Sequence, residues 1–266
     1  MDAFNELIFE ICLEEKIRCE DLSFGWMLRL IKNNRSKHIV GRHFDLNPAA
    51  ADRIACDKYA CHILLKREGI PSVEHELFFD PLRRTNWISD DGELMRAFRL
   101  FESYGERAVV KPNCGWQGRG VEFCETKKEF ERALLSIFKS EAGACVCPFY
   151  EIPREYRVFF VNGKCPVVYG KEPASDGWKH NLSAGAKTVD VGDKILLNEL
   201  KKLAARAADC IGIKFATADI AGLADGTLAV MEINAGVTAT KLLEQRPEKR
   251  GTVKEVYAEA VRAMFE

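Results

Sequence analysis

Apolar and polar positions along the chain change period several times, and each change predicts an element. Residues 3 to 16 carry apolar side chains at helical spacing and predict an amphipathic helix. "FGWMLRLIKNNRSKHIVGRHFDL" alternates instead, predicting two strands around the turn-prone "KNNRSK". "NPAAADRIACDKYACHILLKREGIPSVEHELFF" predicts one helix that opens with Asn-Pro and ends at Gly69, followed by a strand. A second helix is predicted near 91–104, then the strand "RAVVKP", a glycine-bearing loop and the strand-like "GVEFCE". Thr126 and Glu129 have the spacing of a capping box at the start of the next helix. Beyond it, "ACVCPFY", "EYRVFFVNGKCPVVYGKEP", "FATADIAGL" and "LAVMEIN" read as strands, whereas "DKILLNELKKLAARAADCIGI" and "TVKEVYAEAVRAMFE" read as helices.

Asn162-Gly163 and Asp225-Gly226 are tight-turn dipeptides between strand-like runs, and such turns join antiparallel neighbours. The expected architecture is therefore α+β rather than a doubly wound parallel sheet. With 47% hydrophobic and 30% charged residues and a formal net charge of -1, the 266-residue chain has enough material for a core and no polyanion-binding excess. Nucleic acid is excluded as the main partner. No apolar run approaches the roughly 20 residues that span a bilayer, so no membrane association is expected. Ten cysteines are scattered through a chain that begins "MDAFNELIFE", without a basic segment and apolar signal core, which predicts a reduced cytoplasmic protein. Cys145 and Cys147 alternate on one face of an apolar strand, and no second close pair or His-x-His completes a zinc set around them, so both are assigned to packing. The apolar face of the first helix suits a core or a dimer interface equally, leaving a homo-oligomer open.

The candidate chemistry begins at "VVKPNCGWQGRGV". A Rossmann loop has its glycines between strand and helix, and a Walker A loop ends in Gly-Lys-Ser/Thr; this loop does neither. Lys111 ends a strand and another strand follows the glycines. The pattern predicts a hairpin flap whose backbone amides close over phosphates, or else an ordinary turn. Far along the chain, "ATADIAGLADGTLAVMEINAG" places Asp219 on one strand and Glu232 and Asn234 on the next. Glu232 and Asn234, two apart, share a face, and hairpin pairing can bring Asp219 toward it. Hard oxygen donors on an apolar hairpin suit Mg²⁺ held together with substrate phosphates, and burying the two carboxylates without a cation would be costly.

Together these segments resemble the ATP-grasp ligases, particularly the glutathione synthetase-like and cyanophycin synthetase-like (RimK-related) members, over roughly residues 48–266. "DKYACHILLKREGIPSVEHELF" is similar to the family's Asp-Lys helix and Gly-Ile-Pro; "VVKPNCGWQGRGV" to its lysine strand and glycine loop; "REYRVFFVNGK" to its central hairpin; "ADI…MEIN" to its metal-binding acid and Glu-x-Asn. The resemblance implies an α+β ATP-grasp fold, two subdomains with antiparallel sheets clasping ATP. Residues 1–50 would form a short amino-terminal helix and strand pair, 51–144 the small subdomain with its flap, and 145–266 the large subdomain with the metal site. It further implies Lys58 and Lys111 as phosphate lysines and Gly115, Gly118 and Gly120 as the flap. Glu155 would bind ribose, and adenine would lie along Cys145 to Phe149, including Cys147 and Phe149. Arg157, Lys179 and Asn181 would serve the reacting phosphate, and Asp219, Glu232 and Asn234 would hold two Mg²⁺ ions, with Mn²⁺ as a substitute.

The implied activity is ligation of a carboxylate to an amine through an acyl phosphate, on small-molecule or peptide substrates. Two departures bear on substrate. "AGVTATKLLEQRP" replaces the Ser/Thr-Pro-Gly that follows Glu-x-Asn in many relatives, and the segment before Asp57 is short. A phosphotransferase and a non-catalytic nucleotide-binding protein are the alternatives.

Overall fold

A computed structural model describes residues 2–80, 82, 92–115, 118–174 and 178–266; Trp116 and Gln117 of the glycine loop and Asp91 at the predicted start of the second helix lie outside the described residues. Helix α1 (Ala3–Glu14) is capped by Asp2, whose carboxylate accepts from Asn5 N at 3.0 Å. An antiparallel four-stranded sheet follows in chain order, β1 (Arg18–Asp21), β2 (Met27–Lys32), β3 (Arg35–Val40) and β4 (His43–Phe44). The expected strand pair is thus enlarged at both ends. Strand β1, "RCED", has little apolar alternation to announce it and is held by backbone pairing with β2, Cys19 opposite Leu30.

The single helix expected before Gly69 is two. Helix α2 (Ala49–Cys56) stops at Asp57, whose extended backbone (φ -101°, ψ 107°) starts α3 (Lys58–Arg67), and the Asp57 carboxylate accepts from Ala60 N at 2.8 Å. An aspartate inside an amphipathic pattern is here an N-cap. The break places Lys58 in the first turn of a new helix instead of along a continuing face.

The small sheet has the order β5 (Glu76–Phe79), β8 (Gly143–Pro148), β6 (Ala108–Pro112), β7 (Glu122–Cys124), all antiparallel. Helices α4 (Glu93–Ser103) and α5 (Lys127–Phe138) cover one face through Phe101, Phe130 and Leu134 against Phe78, Val110 and Val146. The boundary expected after residue 144 falls inside β8, because β8 completes this sheet. Helices α2 and α3, expected with the small sheet, share a core with the large one through Ala51, Ala55, Cys61 and Leu65.

The large sheet runs β11 (Lys187–Val189), β10 (Lys164–Glu172), β9 (Arg154–Val161), β12 (Phe215–Gly222), β13 (Leu228–Asn234), again antiparallel, as the two turn dipeptides predict. Helix α6 (Lys194–Ile211) packs on the face bearing Tyr156, Val158 and Phe160. The alternate positions of β9 face the other way and change character along the strand. Phe159 and Val161 lie under α1, the amino-terminal sheet and α8 (Arg250–Ala263), whereas Glu155 and Arg157 form the charged end of the same face. The apolar face of α1 is consumed by this core through Phe4, Leu7, Ile8 and Ile11, which removes it as a dimer surface. After β13, α7 (Thr240–Gln245) leads into α8.

Candidate active site

Strand register assembles the charged end of the large sheet. Arg157 lies opposite Asp219 on β12 and Tyr169 on β10; Lys171 lies opposite Glu155; Glu232 lies opposite Asp219. One cluster results. Arg157 donates through Nε to Asp219 Oδ1 at 2.7 Å and through Nη2 to Oδ2 at 2.5 Å. Lys171 Nζ donates to the same Oδ1 at 3.0 Å and is paired with Glu155. Asn234 Nδ2 donates to Asp219 Oδ2 at 3.3 Å and to Glu232 Oε1 at 3.2 Å. Burial by itself would raise the Asp219 carboxyl, but Arg157 and Lys171 outweigh it and hold the group well below the usual carboxylate range. Burial and the neighbouring Asp219 charge raise Glu155, against the pull of Lys171. Burial and Arg157 work to lower Lys171, yet Asp219 and Glu155 keep its ammonium above its ordinary value.

Lys171 escaped the sequence reading. A lysine at the end of "VVYGKEP" looks like any solvated strand terminus, yet it is 3% exposed and bonded to two acids. Glu155 and Lys171 stand opposite each other across the β9–β10 hairpin, but a one-residue register shift between Lys164 and Val167 sets that pairing, so counting out from the Asn162-Gly163 turn does not reveal it.

The two lysines come from different elements, Lys58 from α3 and Lys111 from the small sheet. Lys58 Nζ donates to Gly115 O at 3.0 Å and Asn113 O at 3.4 Å and stands 4.0 Å from Glu232 Oε2. Lys111, on β6 two residues before Asn113, is buried beside Cys145, its partner on β8. The α2–α3 break, the glycine loop and the Glu232 strand therefore meet at Lys58. Strands β6 and β7 pair antiparallel from Ala108 opposite Cys124 to Val110 opposite Glu122, so the glycines do lie in a hairpin. Gly118 and Gly120 have φ of +69° and +66°, a region glycine enters without cost, whereas Gly115 does not use it. A Cβ on Gly118 would meet Asn181 Nδ2 at 3.0 Å. Lys179 Nζ donates to Val121 O at 2.7 Å. The segment bearing Lys179 and Asn181 thus leans on the flap, with its lysine bonded to flap backbone and not to the Asp219 cluster.

An apolar cluster draws on both sheets: Val109 and Cys147 from one, Ala221, Ala229 and Met231 from the other. Phe149 packs against Phe123 with ring centroids 4.1 Å apart and planes tilted by 34°, and Trp178 stands 6.1 Å from each. Pairing of β8 with β5 ends at Val146, while its pairing with β6 continues to Pro148. Past Val146 one backbone edge of β8 has no strand neighbour among the described residues. Cys145 and Cys147 face inward as packing residues, Cys145 Sγ donating to Asn113 Oδ1 at 3.0 Å.

The oxygen donors fit a Mg²⁺ ion in a specific way. A carboxylate offers about four lone-pair directions, and in Asp219 Arg157 takes two, Lys171 one and Asn234 one. Turning the Asn234 amide over would present its oxygen and free one position on Asp219 Oδ2. Glu232, half-buried, needs no such exchange.

A family model describing an ATP-grasp domain matches residues 67–241. The chain is 28% identical over 188 residues to the tetrahydromethanopterin:alpha-L-glutamate ligase of Methanosarcina acetivorans, covering 66% of this chain and 52% of that protein. It is 29% identical over 133 residues to a probable alpha-L-glutamate ligase of Aliivibrio fischeri, covering 49% of this chain and 43% of that one. The chain thus spans about half the length of the curated relatives it matches. Among solved structures, D-alanine--D-alanine ligase from Bacillus anthracis complexed with ATP aligns with a TM-score of 0.62 at 18% identity, covering 82% of this chain and 70% of that one. ATP-grasp ligase PsnB complexed with a minimal precursor aligns with a TM-score of 0.56 at 17% identity, covering 80% and 64%. The fold is the ATP-grasp fold. No helix among the described residues is long and apolar enough to cross a membrane.

Proposed function

The chain belongs to the ATP-grasp family, and from that premise we propose that it is an ATP- and Mg²⁺-dependent carboxylate–amine ligase forming an amide through an acyl phosphate. The observation that carries the reading is the meeting of Lys58, the glycine hairpin and Glu232 opposite the Glu155–Lys171–Asp219–Arg157 cluster. Cationic groups from both sheets face one cleft, as transfer of a highly charged phosphoryl group requires.

In this reading adenine packs against the apolar cluster at Cys147 and Met231, recognised by the backbone edge past Val146, and Glu155 receives the ribose. Lys58 from α3 and Lys111 from the small sheet bind the phosphates, and the backbone amides around Gly118 and Gly120 close over them. Glu232 and Asn234, with the oxygen released on Asp219, hold Mg²⁺; we propose two ions. Bound Mg²⁺ would neutralise charge on the phosphate oxygens. Arg157, fixed by Asp219, is a preorganised guanidinium for the acyl phosphate, and its orientation costs nothing at the moment of reaction. Lys179 and Asn181 tie the flap down over the nucleotide.

The names of the relatives support testing glutamate first, alongside other amino acids and short peptides. The test is ATP consumption with Mg²⁺ against amino acids and short peptides, read by mass spectrometry. ADP with a product one water lighter than its combined substrates is the expected result. A stable phosphorylated product formed without amine would replace the ligase with a phosphotransferase. ATP binding without turnover on any pair would favour a binding module.

A further inference from the structure

His43, Asp52 and Cys56 converge outside the nucleotide cleft and take no part in the chemistry above. His43 comes from β4 of the amino-terminal sheet, while Asp52 and Cys56 stand four residues apart on α2 and so share one face of that helix. His43 Nδ1 is 3.1 Å and 3.0 Å from the two Asp52 oxygens, and one ligand atom from each of the three residues lies within 4.8 Å of the others. We infer that this triad is a binding site for a zinc-class divalent cation, held by His43 Nδ1, the Asp52 carboxylate and the Cys56 thiolate, with a fourth position left to water.

The donor set is the first argument. Imidazole, carboxylate and thiolate are the three zinc-binding side chains, and bond lengths of about 2.0–2.3 Å put tetrahedral donors roughly 3.3–3.7 Å apart. The triad is within side-chain adjustment of that spacing. Charge is the second: one carboxylate, one thiolate and a neutral imidazole balance a divalent ion. A His43–Asp52 hydrogen bond would explain two members but not the third. Cys56 Sγ is half-buried, makes no hydrogen bond among the described residues, and is nevertheless directed to the pair.

A Cβ on Gly236 would lie 3.0 Å from His43 Nε2, so the other edge of the ring lies close to this glycine. The site therefore joins three parts of the molecule: the amino-terminal sheet through His43, the helix ending two residues before Lys58 through Cys56, and the turn two residues beyond Asn234 through Gly236. An ion here clips the amino-terminal layer to the body that carries the nucleotide site.

The experiment uses the full chain stripped with chelator and kept reduced, then titrated with Zn²⁺ against a chromophoric chelator in excess Mg²⁺, which saturates hard-oxygen sites. One equivalent of Zn²⁺ is expected to bind, with affinity falling about tenfold or more in His43→Ala and Cys56→Ser and unchanged in Cys210→Ser. Zn²⁺ should raise the unfolding temperature of the parent protein and not of Cys56→Ser. Should the variants fail to fold, Co²⁺ loaded into the parent protein decides alone: tetrahedral visible absorption with a thiolate-to-cobalt band supports the site. An octahedral spectrum without that band overturns it. Absence of Zn²⁺ uptake, or uptake retained by both His43→Ala and Cys56→Ser, also overturns it and leaves a His43–Asp52 hydrogen bond.

Discussion

Arg157 grips Asp219 across neighbouring strands with both arms of its guanidinium, Nε to Oδ1 at 2.7 Å and Nη2 to Oδ2 at 2.5 Å, while Lys171 takes a second position on Oδ1 at 3.0 Å. A carboxylate 2% exposed in a sheet interior is tolerable only because these cations meet it there. The same grip fixes the guanidinium, so stability and the proposed phosphate-binding role are coupled at one pair.

Arg157→Ala leaves Asp219 short of a partner and should cost on the order of 3–5 kcal/mol of stability. The Arg157→Ala, Asp219→Ala double variant should recover part of that loss, because the orphaned charge is gone. Urea unfolding of the two single variants and the double variant measures the coupling; additive losses would show that the pair is not a unit.

Lys111→Ala and Glu232→Ala should each reduce ATP turnover by about 10²-fold or more with unchanged circular dichroism. Lys111 is a buried cation on the strand leading into the flap, and Glu232, the proposed Mg²⁺ ligand, stands 4.0 Å from Lys58. ADP release under saturating Mg²⁺ is the measurement, and retained activity in either variant would remove that residue from the site.

Gly118→Ala puts a methyl group against the Asn181 amide at 3.0 Å and forces a side chain into φ +69°. The backbone penalty is about 1 kcal/mol, borne by the closed flap. The expected outcome is a rise in the KM for ATP of several-fold, partly reversed by Asn181→Ala, which removes the crowding but not the dihedral cost. Initial rates over a range of ATP concentrations, compared across the single and double variants, would reveal whether the two residues are coupled.

Stability should fall in mild acid through His75. The ring is 1% exposed, its Nδ1 donates to Val73 O at 2.9 Å, and its Nε2 has no hydrogen-bond partner among the described residues. Burial first, then the Lys111 charge, pushes this imidazole well below its ordinary value. The unfolded chain therefore takes the proton first, near pH 6.5. The stabilisation is complete above that pH and is lost on descent, by at most about 1.4 kcal/mol per pH unit. His62 and His180 shift in the same direction, while the raised Glu155 opposes them nearer its own range. Urea midpoints between about pH 7 and pH 5 should depend more steeply on pH in the parent protein than in His75→Asn; parallel curves would exclude His75 as the source.

The sequence by itself determined the local elements and the chemical types. Turn dipeptides at Asn162-Gly163 and Asp225-Gly226 required antiparallel neighbours, and β9–β10 and β12–β13 are those pairs. Lys111 before the glycines required a hairpin, and Asp219, Glu232 and Asn234 came together because a two-residue side-chain period and a hairpin register leave little freedom. What the tertiary structure decided depends on partners distant in the chain. Asp57 looked like one more polar position in a helix until its carboxylate capped Ala60 N and turned Lys58 toward Gly115. Strand β1 has no apolar alternation of its own and exists through its pairing with β2. Lys171 is an ordinary lysine in sequence; only the lateral order β10-β9-β12 sets it between Glu155 and Asp219, because which strands lie side by side is fixed by the packing of whole sheets and not by any local pattern.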